Sequence, residues 1–165
     1  MKKTARAWIF GDDVNTDLII PGKYLENYDP AHLAAHAMEG ASKEFASRVS
    51  KGDIIIAGTN FGCGSSREQA VTALKHAGVG AVVARSFARI FYRNAVNLGL
   101  TVILSPDAID GFYDGDEVVL DVDCGTISSQ DGSRKAALEP VPAHLKRILD
   151  KGGLIPYIKE KLRAQ

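Results

Sequence analysis

The sequence predicts an α/β protein with a parallel sheet at its core and a β-rich C-terminal part. Three observations predict it. The short apolar runs at Ile54–Ala57, 79–84 and 101–104 are separated by two stretches of helical periodicity, which gives strand-helix-strand-helix-strand and argues for right-handed parallel crossovers. The runs are continuous rather than alternating, as in strands covered on both faces. After Pro106 the pattern turns to hairpin material, with a strand over 116–122, a turn near Gly125 and a strand over Thr126–Ser129.

Taken in chain order, residues 7–10 read as a short strand, followed by the polar loop 11–17 and by an apolar segment, Leu18-Ile19-Ile20, that Pro21-Gly22 stops. Asp29-Pro30 is an N-cap followed by proline at the first helical position, and that helix is expected to pass Leu33 and Ala37 and end at Gly40. A second short helical piece carries Phe45 and Val49. Lys51-Gly52-Asp53 turns the chain into the first apolar run. A glycine-rich loop and a helix from about Ser66 to His76, closed by Gly78, come next. The following helix, over about 87–98, carries Phe87, Ile90, Phe91 and Leu98 on its apolar side and is capped by Gly99. Helices over 142–151 and 156–162 finish the chain.

The 165 residues fit one domain, 1–165, and a chain of that size buries about 70% of its unfolded surface. A composition with 45% hydrophobic and 24% charged residues excludes collagen, a disordered tail and a disulfide mini-protein. Twenty basic residues balance 20 acidic ones, which speaks against a nucleic-acid partner. No apolar run approaches the roughly 18 residues of a membrane helix. The basic start MKKTARAW carries apolar residues only over 7–10, too few for a signal segment, so the expectation is a cytoplasmic protein with no membrane partner. The two cysteines, Cys63 and Cys124, lie far apart with no CxxC, whereas zinc and iron–sulfur sites need three or four ligands. No metal or cofactor is expected on this chain alone.

The segment richest in chemistry is GTNFGCGSSREQA, residues 58–70, where an apolar strand hands over to a helix. Ser65 and Glu68 fit a capping box, in which the serine merely caps the helix. The other reading is an anion pocket. Glycines at 58, 62 and 64 let a ligand approach the backbone, and Arg67 stands at a helix start, where the dipole disfavours a cation unless an anion joins it. A carboxylate would fit Arg67 bidentately, and a serine beside it becomes a candidate nucleophile or base. The nucleophile elbow G-x-S-x-G and the phosphate loop are both absent. Asp13, Asn15 and Asp17 match positions 1, 3 and 5 of a calcium loop, but Leu18 and Tyr24 fall where glycine and glutamate are required, so that site is rejected and turn formation stands. His32 and His36 lack a third metal ligand. Arg85, Arg89 and Arg93 recur every four residues and read as a solvated or subunit-facing stripe. Cys63 reads as a small reduced side chain filling the turn.

Residues 60–68 (NFGCGSSRE) resemble the signature of the isopropylmalate dehydratase small-subunit family of the aconitase superfamily. Two further blocks, GDDVNTDLIIPGKY at 11–24 and SFARIFYRNAVNL at 86–98, agree in the same order, and the resemblance runs from about Trp8 to Leu162. It implies a swivelling β/β/α domain that closes over a separate large subunit, in a heterodimer or heterotetramer. The large subunit would hold a 4Fe-4S cluster and this chain none. It also implies hydro-lyase chemistry on a small hydroxy-dicarboxylate, interconverting 2- and 3-isopropylmalate by dehydration and rehydration in leucine biosynthesis. Such a reaction needs a base for a weakly acidic C–H, positive charge where the enediolate-like transition state forms, and a Lewis acid on the departing hydroxyl.

Carried over by motif, Ser65 would be the base acting as an alkoxide, Ser66 and Arg67 would bind the substrate carboxylate, and Thr16 and Asp17 would hydrogen-bond within the site. Ile20 stands where aconitase has a serine. Substrate choice is expected in the loop after Pro21-Gly22, which reads Lys23-Tyr24-Leu25-Glu26-Asn27. Homoaconitase-like enzymes carry an arginine near position 26. Glu26 would repel a distal carboxylate, Leu25 would pack against an isopropyl or methyl group, and Lys23 would bring a positive charge of its own. This favours 3-isopropylmalate. Subunits for homoaconitate, 2,3-dimethylmalate or citramalate are the enzymatic alternatives, and a stand-alone anion- or RNA-binding module is the alternative of another class.

Overall fold

Strand β1, Lys2–Ile9, organises the fold because its two halves pair in opposite senses. Residues 7–9 run parallel to β2 (Ile54–Ala57), and residues 2–6 run antiparallel to β5 (Glu117–Asp121). The strand is longer than the sequence predicts. Its basic start is stabilised across the ladder, where Lys2 faces Asp121 and Arg6 faces Glu117, opposite charges directly paired. The computed structural model describes residues 1–165. Its seven strands form one sheet in the order β4-β3-β2-β1-β5-β6-β7, with β3 (Ala81–Ala84) and β4 (Val102–Leu104) parallel to β2, and β6 (Thr126–Ser129) and β7 (Lys135–Ala137) antiparallel. The β-rich C-terminal part is therefore no appendage but the far half of the same sheet.

Alternation along β2 sends Ile55 and Ala57 into one core and Ile54 and Ile56 into the other. The first core lies under α2 (Pro30–Ala35), α3 (Phe45–Arg48), α4 (Glu68–Ala77) and α5 (Arg89–Leu98), through Leu33, Phe45, Leu74 and Phe91. The second is covered by the curled antiparallel half, through Val118, Leu120, Ile127 and Ala136, with Ala108 of the short helix α6 (Ala108–Gly111). Both faces of the parallel strands are covered, as their unbroken apolar runs require. Neither α6 nor β7 was legible in the sequence. Helices α7 (Ala143–Asp150) and α8 (Leu154–Arg163) close the chain. The second begins before Pro156, which sits in its first turn, where a missing N–H costs nothing. No helix is long and apolar enough to cross a membrane.

Three departures from the expected boundaries matter for the site. The segment 18–20 enters as one helical turn, α1 (Thr16–Ile19, the first helix in chain order), capped by Asn15 Oδ1 accepting from the Leu18 N–H at 2.9 Å. Helix α2 stops at Ala35, short of Gly40. Met38 turns left-handed (φ 58°), and the Met38 and Gly40 N–H groups bond instead to Ile19 O (2.7 Å) and Leu18 O (3.1 Å), exchanging helical partners for α1. Helix α4 starts at Glu68, not Ser66. Arg67 is its N-cap residue with an extended backbone and no side-chain cap, so the Ser65–Glu68 capping box does not form.

Candidate active site

The loops after β1, β2 and β3 leave the C-terminal ends of three neighbouring parallel strands, where ligand crevices form in open α/β sheets. They lock together through backbone pairing. Asn15 bridges to Cys63 and Phe61 to Phe87, and the Gly62 N–H donates to Val14 O at 2.7 Å. Gly62 makes the crossing possible: its φ is +83°, and a Cβ there would lie 2.2 Å from Phe91 Cγ. At the loop's far end the buried Thr16 holds the serine segment twice. Its N–H donates to Cys63 O at 2.8 Å, and its Oγ1 donates to Ser65 O at 3.0 Å. Three stretches distant in sequence thus form one rigid rim, with Ser65 and Ser66 exposed on it.

A cavity of about 290 Å³ opens here, bordered by Thr16, Ser65, Ser66 and Arg67 together with Arg89, Ile90 and Asn94. Two ten-residue helices, α4 and α5, begin at this cavity with no side-chain cap, at Arg67 and Ala88 respectively. Their first-turn N–H groups and positive dipole ends favour an anion. Arg67 is held from behind: its Nη1 donates to Asp17 Oδ1 at 3.0 Å and to Ile20 O at 3.1 Å, which leaves Nη2 and Nε for a ligand. Asp17 also accepts the Gly22 N–H at 3.1 Å. The Arg67 guanidinium, seconded by that N–H, keeps its carboxyl ionised below the usual carboxylate range. The arrangement can bind a carboxylate and stabilise negative charge beside an exposed hydroxyl.

Ser65, Ser66, Arg67 and Thr16 thus meet at the cavity, and Asp17 reaches it through Arg67. The loop residues stand apart. Lys23 Nζ lies 4.0 Å from Glu39 and over the Tyr24 ring, Leu25 is half-buried against the helical core, and Glu26 is exposed. This 3₁₀ turn, Gly22–Tyr24, touches the site through Gly22 and is fastened at its other end, where Tyr24 stacks on His36 (3.7 Å) and its hydroxyl donates to Glu39 at 2.7 Å. His36 Nδ1 is 2.6 Å from the same carboxylate, so the histidines serve this packing, and no group of three metal-binding side chains comes together. Cys63 and Cys124 do not supply the ligand set of an iron–sulfur cluster.

The arginine stripe divides. Arg85 is spent on Pro106 O (2.8 Å) and Asp110 (2.6 Å), whereas Arg89 borders the cavity. Arg89, Ile90 and Asn94 are site residues that sequence reasoning passed over. The signal that exposed Arg67, a cation at a helix start, was equally present at Arg89.

Comparison with known proteins agrees with this geometry. A family model described as the aconitase C-terminal domain matches residues 15–107, which contain the loops after β2 and β3 and the end of the loop after β1. The 3-isopropylmalate dehydratase small subunit 1 of Methanopyrus kandleri is 52% identical over 94% of this chain and 92% of its own length. The methanogen homoaconitase small subunit of Methanothermobacter thermautotrophicus is 55% identical over 92% of this chain and 88% of its own length. The crystal structure of a 3-isopropylmalate dehydratase from Methanocaldococcus jannaschii superposes with a TM-score of 0.95 at 48% identity, covering 100% of this chain and 98% of that one.

Proposed function

The chain belongs to the aconitase C-terminal domain family, as a dehydratase small subunit, and from that premise we propose that it serves 3-isopropylmalate dehydratase, interconverting 2- and 3-isopropylmalate in leucine biosynthesis. The carrying observation is the exposed Ser65-Ser66-Arg67 segment, clamped by Thr16 beside two uncapped helix starts. In this reading Ser65 Oγ takes the proton from the carbon next to a carboxylate. A serine hydroxyl is a poor base near neutral pH, and the first turn of α4 together with Arg67 supplies the positive field that stabilises its alkoxide. Ser66 and the free edge of Arg67 bind the carboxylate, and Asp17 fixes the guanidinium plane. In the loop after Gly22, Lys23, Leu25 and Glu26 are the substrate-selecting residues of this reading, and Glu26 disfavours acids with a third carboxylate.

We infer further, from relatives named as small subunits, that a large subunit carries a 4Fe-4S cluster and that this chain joins it in the cytoplasm as a heterodimer or heterotetramer. A second reading, a homoaconitase-type subunit, is favoured by the Methanothermobacter thermautotrophicus relative at 55% identity.

Anaerobic reconstitution with a cluster-bearing large subunit tests both readings, with absorbance of the unsaturated intermediate followed from 3-isopropylmalate, the homocitrate series and dimethylmalate. Turnover of 3-isopropylmalate that needs both chains supports the first reading, and turnover of only a longer acid supports the second. No turnover from an assembled, cluster-loaded complex refutes both. Ser65→Ala is expected to lower kcat at least about 100-fold, the scale of a general base, while the complex still assembles.

A further inference from the structure

The two arginines at the cavity are held differently. Arg67 is pinned by Asp17 and Ile20, and nearby Arg85 is consumed by Asp110 and Pro106. Arg89 is exposed, forms no ion pair within the chain, and is the first residue of α5, at the helix end where a cation is least stable. It faces a cavity that already holds a second guanidinium. An anion beside Arg89 relieves that cost, and the free edge of Arg67 with the uncapped first turns of α4 and α5 adds donors. Ile90 follows it, 53% exposed, an aliphatic side chain bordering the same cavity. Leu25, half-buried against the helical core, is not among the side chains there. Two cations and an aliphatic side chain at one cavity match a dicarboxylate with a branched apolar substituent.

We propose that Arg89 binds the second carboxylate of the substrate and that Ile90 packs against its aliphatic branch. This rests on the dehydratase function proposed above and extends it: Arg67 and Arg89 each hold one carboxylate at the cavity that Ser65 borders, which fixes the reacting carbons near its hydroxyl. Selection for the branch then lies on the helix start as well as in the loop after Gly22.

The test uses the reconstituted complex, with complex formation, binding calorimetry and steady-state kinetics measured on 3-isopropylmalate and on citramalate, whose branch is a methyl group. Arg89→Gln is expected to assemble normally and to raise Kd and KM for both acids about 10- to 100-fold, the effect of losing one charged hydrogen-bond partner, with Arg89→Lys intermediate. Ile90→Ala is expected to lower the preference for the isopropyl acid over the methyl acid about tenfold and to leave the binding of citramalate within about twofold. An assembled Arg89→Gln complex with unchanged Kd and KM, or one that fails to assemble and so places Arg89 in the subunit interface, overturns the assignment while wild-type turnover keeps the functional reading intact. A wild-type complex that neither binds nor converts any hydroxy-dicarboxylate overturns both.

Discussion

Replacing Thr16 by valine separates what the rim does for stability from what it does for chemistry. The substitution keeps the shape of a side chain that is only 3% exposed and deletes one interaction, the 3.0 Å bond from Oγ1 to Ser65 O. The backbone bond from Thr16 N–H to Cys63 O, 2.8 Å, survives. Because Ser65 is exposed, water can satisfy its freed carbonyl, so the loss is that of an ordinary hydrogen bond, about 1 kcal/mol, and Tm falls by about 2–4 °C for a chain of this size. The functional effect is larger in proportion. The peptide that carries the proposed base loses its tether, and a misplacement of about 1 Å costs on the order of 100-fold in rate. Thermal melts of the isolated chain and steady-state kinetics of the reconstituted complex are expected to show a drop of a few degrees beside a 10- to 100-fold fall in kcat. A kcat within twofold of wild type, with the melt lowered as expected, would mean that the backbone pairing of residues 61–63 alone positions Ser65, and the clamp argument fails. A stability loss above about 3 kcal/mol would instead make Thr16 a core-packing residue.

Gly62→Ala places a Cβ 2.2 Å from Phe91 Cγ at φ +83°, and combining about 1–2 kcal/mol of left-handed strain with about 1–3 kcal/mol of overpacking predicts a loss of about 2–5 kcal/mol in urea unfolding. Gly64→Ala shares the strain (φ +94°) but meets Thr16 Oγ1 only at 3.5 Å, so it should lose about half as much, and equal losses would show that the clash contributes nothing. Asp123 is bonded to Lys146 and to the terminal amine, which hold its pKa at about 2; its stabilisation is complete above about pH 4 and disappears as pH falls through about 2, so the melting temperature of Asp123→Asn should decline less than that of wild type between those values. Identical slopes would mean that the pair persists in the unfolded chain. Glu26→Arg reverses one charge in the loop after Gly22; with unit charges about 4 Å apart worth ~1 kcal/mol in water, preference should move toward tricarboxylates by about 2 kcal/mol, roughly thirtyfold, and no change in the substrate panel would remove Glu26 from selection.

The sequence displayed the parallel half of the fold because β2, β3 and β4 are short apolar runs bounded by glycine turns, with Gly78 and Gly99 closing α4 and α5 in left-handed conformations. It hid the start of β1, since Lys2 and Arg6 look like a solvated terminus until Asp121 and Glu117 are placed opposite them, 111 or more positions along the chain. Helix ends fared likewise. The local rules for a capping box at Ser65 and for a helix reaching Gly40 were satisfied, and both lost to tertiary hydrogen bonds, those of Thr16 in one case and of Leu18 and Ile19 in the other. At the site, residue types with an evident chemical purpose, Ser65 and Arg67, were legible, and Thr16 and Asp17 came through the family resemblance. The cavity beside Arg89 was not legible, because a fourfold spacing of arginines describes one helix face only where the helix exists. Arg85 lies outside α5, and its neighbour in the pattern opens onto the cavity.

Relatives named for different acids, a 3-isopropylmalate dehydratase subunit at 52% identity and a homoaconitase subunit at 55%, stand at nearly the same distance from this chain. Substrate choice therefore does not follow overall similarity, and the energetics explain why it need not. A tenfold preference is only about 1.4 kcal/mol, within the reach of one charge or one aliphatic contact. The proton chemistry demands more, because a serine can serve as a base only if its backbone, two helix starts and a guanidinium are all fixed together. The structure divides these demands accordingly. Ser65 and Arg67 are held by backbone bonds between three strand-end loops and by the Asp17 carboxylate, whereas Glu26, in the loop after Gly22, and Ile90, at the start of α5, are exposed with no partner whose loss would disturb the sheet. On the function proposed above, side chains placed in that way can be exchanged to suit another acid while the segment that carries the proposed base stays in place.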